Sequence, residues 1–164
     1  MLNMKNVLMI IFVSCFIPLK NLAQIPSPTI PAFTFFTMDE KPFTDKNLPK
    51  AKKIFFVFFD ADCDHCQRAM KTIGDQYKYF KNAAVYLISI DGKDKINKFM
   101  NSYGQAVKGQ KNMLLLQDKY RQFITLFHPK KYPSMFLYTA DKKLIQYADD
   151  PGEIVKFFKP LAAK

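Results

Sequence analysis

Residues 54–70 read IFFVFFDADCDHCQRAM, and the character of the chain changes halfway along this stretch. From Ile54 to Phe59 there is no polar residue, the mark of a strand covered on both faces, as in the middle of a sheet sandwiched by helices. Past Cys66 the period turns helical. Ala69, Met70, Ile73, Tyr77 and Phe80 recur on one face and predict an amphipathic helix over 63–80. Cys63 and Cys66 stand at the junction, three positions apart, in a chain that has three cysteines in all. A redox pair, half of a metal site, a structural disulfide and coincidence all fit that spacing by itself.

The flanking segments extend the pattern in both directions. AFTFFTMDEKPFT, residues 32–44, alternates apolar and polar residues around MDEK and suits a short hairpin. AAVYLISID is a second buried strand, and KDKINKFMNSYG is a helix that stops at Gly104. NMLLLQD is a third apolar strand or extended segment, and YRQFITLF a short helix ended by His128 and Pro129. SMFLYTADKKLIQYAD gives two strands around an ADKK turn, and PGEIVKFFKPL opens with Pro and closes as a final helix. Strands alternating with helices argue for one α/β domain over residues 31–164: a mixed β-sheet flanked by helices, with the hairpin as an antiparallel edge.

The 164 residues are 49% hydrophobic, with seventeen Phe and eight Tyr, which supplies a sizeable core and argues against a disordered or fibrous class. MLNMKNVLMIIFVSCFIPLKNLAQ opens on basic Lys5, runs apolar from Val7 to Leu19 and reaches small Ala23. That run is short for a membrane span and reads as a secretory signal peptide over 1–23. Cys15 leaves with the peptide unless FVSC serves as a lipoprotein signal, for which Phe12 is a poor fit. QIPSPTI, residues 24–30, is a Pro-rich lead-in expected to be extended and poorly ordered. The mature chain then keeps Cys63 and Cys66, not the several distant bridges of a disulfide-stapled scaffold. The net charge of +11 becomes +9 without Lys5 and Lys20. The lysines are scattered and no nucleic-acid motif accompanies them. The charge therefore reads as solubility, with a mild preference for acidic partners or anionic membrane faces.

A thiol in the first turn of a helix meets unpaired N–H groups and the positive end of the macrodipole, both of which favour thiolate. Cys63 is therefore the expected nucleophile, and Cys66, one turn on and less exposed, the resolving thiol. His65 can stabilise a thiolate by charge or hydrogen bond, whereas Asp60, Asp62 and Asp64 oppose it if ionised nearby. These signs conflict, so residue types alone set no redox poise. Asp62 has the type and place of a helix N-cap. A structural disulfide at this spacing would close a loop too small to stabilise much. Zinc would want four ligands, and the mature chain offers two cysteines, His65 and His128 without a second paired motif. Further on, Pro133 in KKYPSMFLY stands at a strand's first position, where it has no amide to offer the ladder. A trans bond is the commoner state there; a cis bond would turn the Tyr132 backbone out to meet an extended partner.

Taken together, these segments resemble the thioredoxin-fold superfamily, and more narrowly the TlpA-like, AhpC/TSA-type thiol–disulfide redoxins of bacterial envelopes. The likeness runs over about residues 31–161. PAFTFFTMDEKPFT resembles the family's N-terminal hairpin, IFFVFFDADCDHC its strand leading into the CxxC, and YPSMFLYTADKKLIQY its cis-proline, strand, turn and strand. The resemblance implies a thioredoxin-like fold with Cys63 as nucleophile, Cys66 as resolving thiol and Pro133 as a cis-proline beside them. Tyr132 would supply backbone contacts to substrate. A His before the second Cys also occurs in DsbA-like oxidases, which makes His65, with Asp64, the candidate for thiolate tuning. Three positions depart from the pattern: Asp62 replaces the familiar Trp, Asp64-His65 the usual Gly-Pro or Glu-Pro, and Val57 the buried acid of the strand. A proton acceptor for Cys66 must then come from Asp60 or a water.

The expected function is an exported, periplasmic or cell-envelope thiol–disulfide oxidoreductase, leaning to disulfide reduction. It needs no cofactor beyond the Cys63–Cys66 disulfide and no metal. Expected partners are envelope proteins bearing thiols or disulfides and an upstream redox partner; the chain is expected to be a monomer, without a transmembrane helix once mature. Oxidation or isomerisation is the nearest alternative. A copper-handling module using Cys63, Cys66 and His128 or His65 is the alternative from another class. A peroxidase would need a peroxide-activating pocket with Thr and Arg, and Arg68 and Arg121 are the only arginines.

Overall fold

A computed structural model of the chain describes residues 25–163. The signal-peptide reading of 1–23, Cys15 included, falls outside those residues. Strands β1 (Thr34–Thr37) and β2 (Pro42–Thr44) form the expected hairpin, and β3 (Ile54–Phe58) leads into α1 (Asp64–Asp75). Next come β4 (Ala84–Ser89), α2 (Lys93–Tyr103), β5 (Met113–Gln117) and α3 (Gln122–Phe127). The chain closes with β6 (Ser134–Tyr138), β7 (Leu144–Ala148), a 3-10 turn at Pro151–Ile154 and α4 (Val155–Ala162). The described strands form one seven-stranded sheet in the order β2-β1-β5-β4-β3-β6-β7. Its centre is parallel, β5-β4-β3, because α1 and α2 cross between those strands; both flanks are antiparallel. No helix of the described residues is long and apolar enough to cross a membrane.

All five residues of β3 are buried, and their alternation divides the core. Phe55 and Val57 face a layer built by α1, α2 and α4, with Met70, Ile73, Ile96, Phe99 and Phe157. Ile54, Phe56 and Phe58 face the opposite layer, where Phe123 of α3 stacks on Phe58, and Phe123 and Phe127 pack tilted against Phe35 and edge-on against Phe136. Each such side chain contributes about 1.5–3 kcal/mol by burial, so the strand that carries the cysteine turn at its end is among the most firmly held parts of the molecule.

Two expectations change. The helix predicted over 63–80 ends at Asp75, and Tyr77–Tyr79 wind into a 3-10 turn. Tyr77 and Phe80 keep a common side because residues three apart eclipse in that tighter coil, so apolar spacing does not distinguish the two. The Pro-rich lead-in is extended but not loose. The Ser27 N–H reaches the Phe127 carbonyl at 3.0 Å, the Leu144 N–H reaches the Pro28 carbonyl at 2.8 Å, and Ile30 is buried. Backbone groups of the segment find partners at the end of α3 and at the tip of the β6–β7 hairpin, which local composition does not reveal.

Candidate active site

Cys63 is the N-cap residue of α1, with extended backbone (φ −83°, ψ 116°) and a carbonyl that accepts the N–H groups of Cys66 at 2.9 Å and Gln67 at 3.1 Å. The turn before it is tied down group by group. The Phe59 N–H donates to the Ile88 carbonyl at 2.9 Å, Ala61 N–H to Asp91 Oδ2 at 2.9 Å and Asp62 N–H to Asp60 Oδ1 at 2.8 Å. This corrects one expectation: Asp62 does not cap α1. Its carboxylate lies 2.7 Å from Lys95 Nζ instead, because the helix begins one residue later than the cap reading requires.

The two thiols differ in depth. Cys63 is half-buried, whereas Cys66 is 1% exposed and packs with Ala69, Met70 and Ile73 against the β3 side of the core. The two sulfurs lie close to each other, both as free thiols. Burial pushes the Cys66 thiol well above its ordinary range; Cys63 and the charge of Asp60 push the same way, and only the Asp60 backbone opposes them. Val57, standing where a buried acid might have served, is sealed among apolar side chains.

The second component arrives from β6. The Tyr132–Pro133 bond is cis, and the Tyr132 carbonyl accepts the Cys63 thiol at 3.8 Å. The Tyr132 ring packs on Phe58 at 4.9 Å, and burial pushes its hydroxyl up to about 12. Beneath this loop lies a brace the sequence reading missed. Ser134 Oγ donates to the Lys131 carbonyl at 2.6 Å and meets the Tyr147 hydroxyl at 3.0 Å. That hydroxyl also accepts the Lys130 N–H at 3.0 Å and reaches Asp149 at 3.2 Å. The signal was present as a tyrosine on the strand paired with β6, but its partners are set by register. Beside the loop, Phe58, Ile124, Pro129, Lys130, Lys131 and Tyr132 line a cleft of about 120 Å³.

Of the other anticipated residues, Asp64 and His65 are exposed on the first turn of α1. His128 is not brought to the thiols; its Nδ1 lies 3.2 Å from the Ile25 carbonyl. Among the described residues no group of three or more His, Cys, Asp or Glu side chains converges as metal ligands would. The site therefore gathers Cys63, Cys66, Tyr132 and Pro133. It offers one accessible sulfur, one buried sulfur beneath it and a backbone edge alongside.

The sequence profile of the AhpC/TSA family matches residues 26–147. The thiol-disulfide oxidoreductase ResA of Bacillus subtilis is 28% identical over 100 residues, which cover 59% of this chain and 52% of that protein. ResA of Bacillus anthracis is 24% identical over 119 residues, covering 71% of this chain and 65% of the other. The chain thus spans between about half and two thirds of the length of the curated relatives it matches. Solved structures share the fold. The thioredoxin domain of a thiol-disulfide oxidoreductase from Bacteroides vulgatus superposes with a TM-score of 0.67 at 17% identity, over 85% of this chain and 99% of that one. A thioredoxin-like protein from Aeropyrum pernix gives 0.64 at 13% identity, over 79% and 89%.

Proposed function

The chain belongs to the AhpC/TSA family, and from that premise and its paired thiols we propose that it is a thiol–disulfide oxidoreductase working through Cys63 and Cys66. One observation carries the reading: Cys63 Sγ lies within reach of the Cys66 thiol and of the Tyr132 carbonyl, while Cys66 is shut away from any visiting chain. The resemblance to ResA by sequence supports the same reaction class.

In the reducing direction, which we favour, the Cys63 thiolate attacks one sulfur of a partner disulfide. A Cys63–partner S–S bond forms as the partner's own bond breaks, and the partner's other sulfur leaves as thiolate. Cys66 then gives up its proton and attacks Cys63 Sγ, forming the Cys63–Cys66 disulfide and releasing the second partner sulfur. Two electrons pass to the partner, whose thiolates take up two protons; an upstream dithiol restores the pair by the reverse steps. No bound cofactor enters this sequence. The partner lies extended along Tyr132 and Pro133, and Asp64 and His65 tune Cys63 from the exposed face of α1. Partners are envelope proteins bearing disulfides, on the reading of 1–23 as a signal peptide and 31–164 as the exported domain.

Insulin reduction with two single variants tests the reaction. Cys63→Ser abolishes turnover, whereas Cys66→Ser retains the attack and accumulates mixed disulfides through Cys63, seen by mass spectrometry. Near-wild-type turnover by both variants would end this reading.

A further inference from the structure

Asp91 stands just past the end of β4, and its polar groups converge on the turn that carries Cys63. Its Oδ2 accepts the Ala61 N–H at 2.9 Å and the Ser89 hydroxyl at 3.0 Å, and its Oδ1 lies 2.8 Å from Lys95 Nζ. Its own N–H donates to Ser89 Oγ at 3.1 Å, and its carbonyl accepts Gln117 Nε2 at 2.8 Å. Ser89 is fully buried, so this hub is anchored in the sheet. Lys95 does not stop at Asp91. The same ammonium lies 2.7 Å from Asp62 Oδ2, on the residue next to Cys63. One cation on α2 thus joins a carboxylate of the sheet to a carboxylate of the active-site turn.

We propose that Asp91 and Lys95 are positioning residues for the thiol pair: Asp91 pins the Ala61–Cys63 turn to the sheet, and Lys95 cancels the negative charge of Asp62 beside Cys63. The inference rests on the exchange reaction proposed above and adds the residues that set its poise. A carboxylate beside a thiol disfavours the thiolate, and a cation bonded to that carboxylate removes much of the effect. Lowering the thiolate's free energy favours the dithiol over the disulfide, so the clamp makes the couple more oxidising than the acidic turn alone would allow. Asp62 is exposed and Lys95 half-buried, so the effect is partly screened by salt.

Four variants of the full chain test this: Lys95→Met, Lys95→Arg, Asp62→Asn and the Lys95→Met/Asp62→Asn double variant. Two readouts are used, the equilibrium with reduced and oxidised glutathione and the rate at which iodoacetamide alkylates Cys63 in the reduced protein. Lys95→Met shifts the equilibrium about threefold toward the protein disulfide and slows alkylation by a similar factor at neutral pH. Asp62→Asn moves both readouts the opposite way, the double variant returns close to wild type, and Lys95→Arg matches wild type. The differences shrink in 1 M salt. If Lys95→Met and Asp62→Asn leave both readouts unchanged, or move them in the same direction, the charge role is overturned, since loosening of the turn would not depend on sign. Should the wild-type protein form no Cys63–Cys66 disulfide, the exchange reading fails by itself, and alkylation still decides the fate of the clamp.

Discussion

Cys66 is buried, and loss of solvent holds its thiol well above the ordinary range, so its attack on Cys63 waits for a proton acceptor. Asp60 is the acidic residue whose charge reaches that sulfur, while Val57 lies in the apolar core. Asp60→Asn is therefore expected to slow decay of the mixed disulfide roughly a hundredfold at neutral pH, the low end of what a positioned base supplies, whereas the first attack by Cys63, which needs no such base, changes far less. Stopped-flow measurement of both steps checks this. Because the thiol titrates high, the resolving step also accelerates as pH rises, and the gap between variant and wild type narrows. At this scale much was legible in advance. Helical spacing alone placed Cys66 deeper than Cys63, whereas the cis bond at Pro133 was implied by the family resemblance and not by its position, where trans is the commoner state. Asp62 was misread because an aspartate before a helix looks the same whether it caps the N-terminus or pairs with a lysine on another element.

α3 starts without help from its own first residues: Arg121 is in the left-handed region (φ 55°), and the start is held by buried Asp118, which accepts the Gln122 N–H at 3.0 Å and the Phe123 N–H at 2.7 Å. This element brings Phe123 and Phe127 against β3 and Ile124 to the cleft beside Tyr132. Asp118→Ala would orphan two N–H groups and is expected to cost about 1–3 kcal/mol in urea unfolding. Near its C-terminal end α1 depends on Gly74, where an added Cβ would sit 2.8 Å from the Ala106 Cβ. Gly74→Ala gains helix propensity of up to about 1 kcal/mol, yet overpacking of typically 1–3 kcal/mol makes a net loss the expected result, read as a lower midpoint of thermal unfolding. The order of elements was readable because each apolar run keeps one period. The early end of α1 was not, since a 3-10 turn keeps the same apolar spacing, nor was the docked lead-in, which depends on contacts distant in sequence, Lys142–Leu144 against Pro28–Ile30.

The molecule as a whole joins an aromatic double-layered core to a polar hub at one end of its sheet, and acid should test that hub. Burial works against the charge of Asp91, but hydrogen bonds from Lys95, the Ala61 N–H and Ser89 outweigh it and hold the carboxyl below its ordinary 3.8. A carboxyl lowered by folding contributes stability above the unfolded value, and that contribution is lost as pH falls through the folded one. Stability measured by urea unfolding should therefore decline below about pH 4, and Asp91→Asn should flatten that decline while lowering stability at neutral pH. The fold class was legible at this scale because sheet and helix patterns alternate along the whole chain, whereas the hub assembles from four elements and has no local signature. The most direct test of thiol–disulfide exchange is a titration of the purified protein against graded glutathione ratios, with free thiols alkylated and located by mass spectrometry. The expected result is one two-electron transition in which Cys63 and Cys66 lose their label together, with a potential nearer roughly −270 mV than −120 mV for a reductant. Labels that persist on both sulfurs at every ratio, or Cys63 held as a glutathione adduct above a free Cys66, would contradict it.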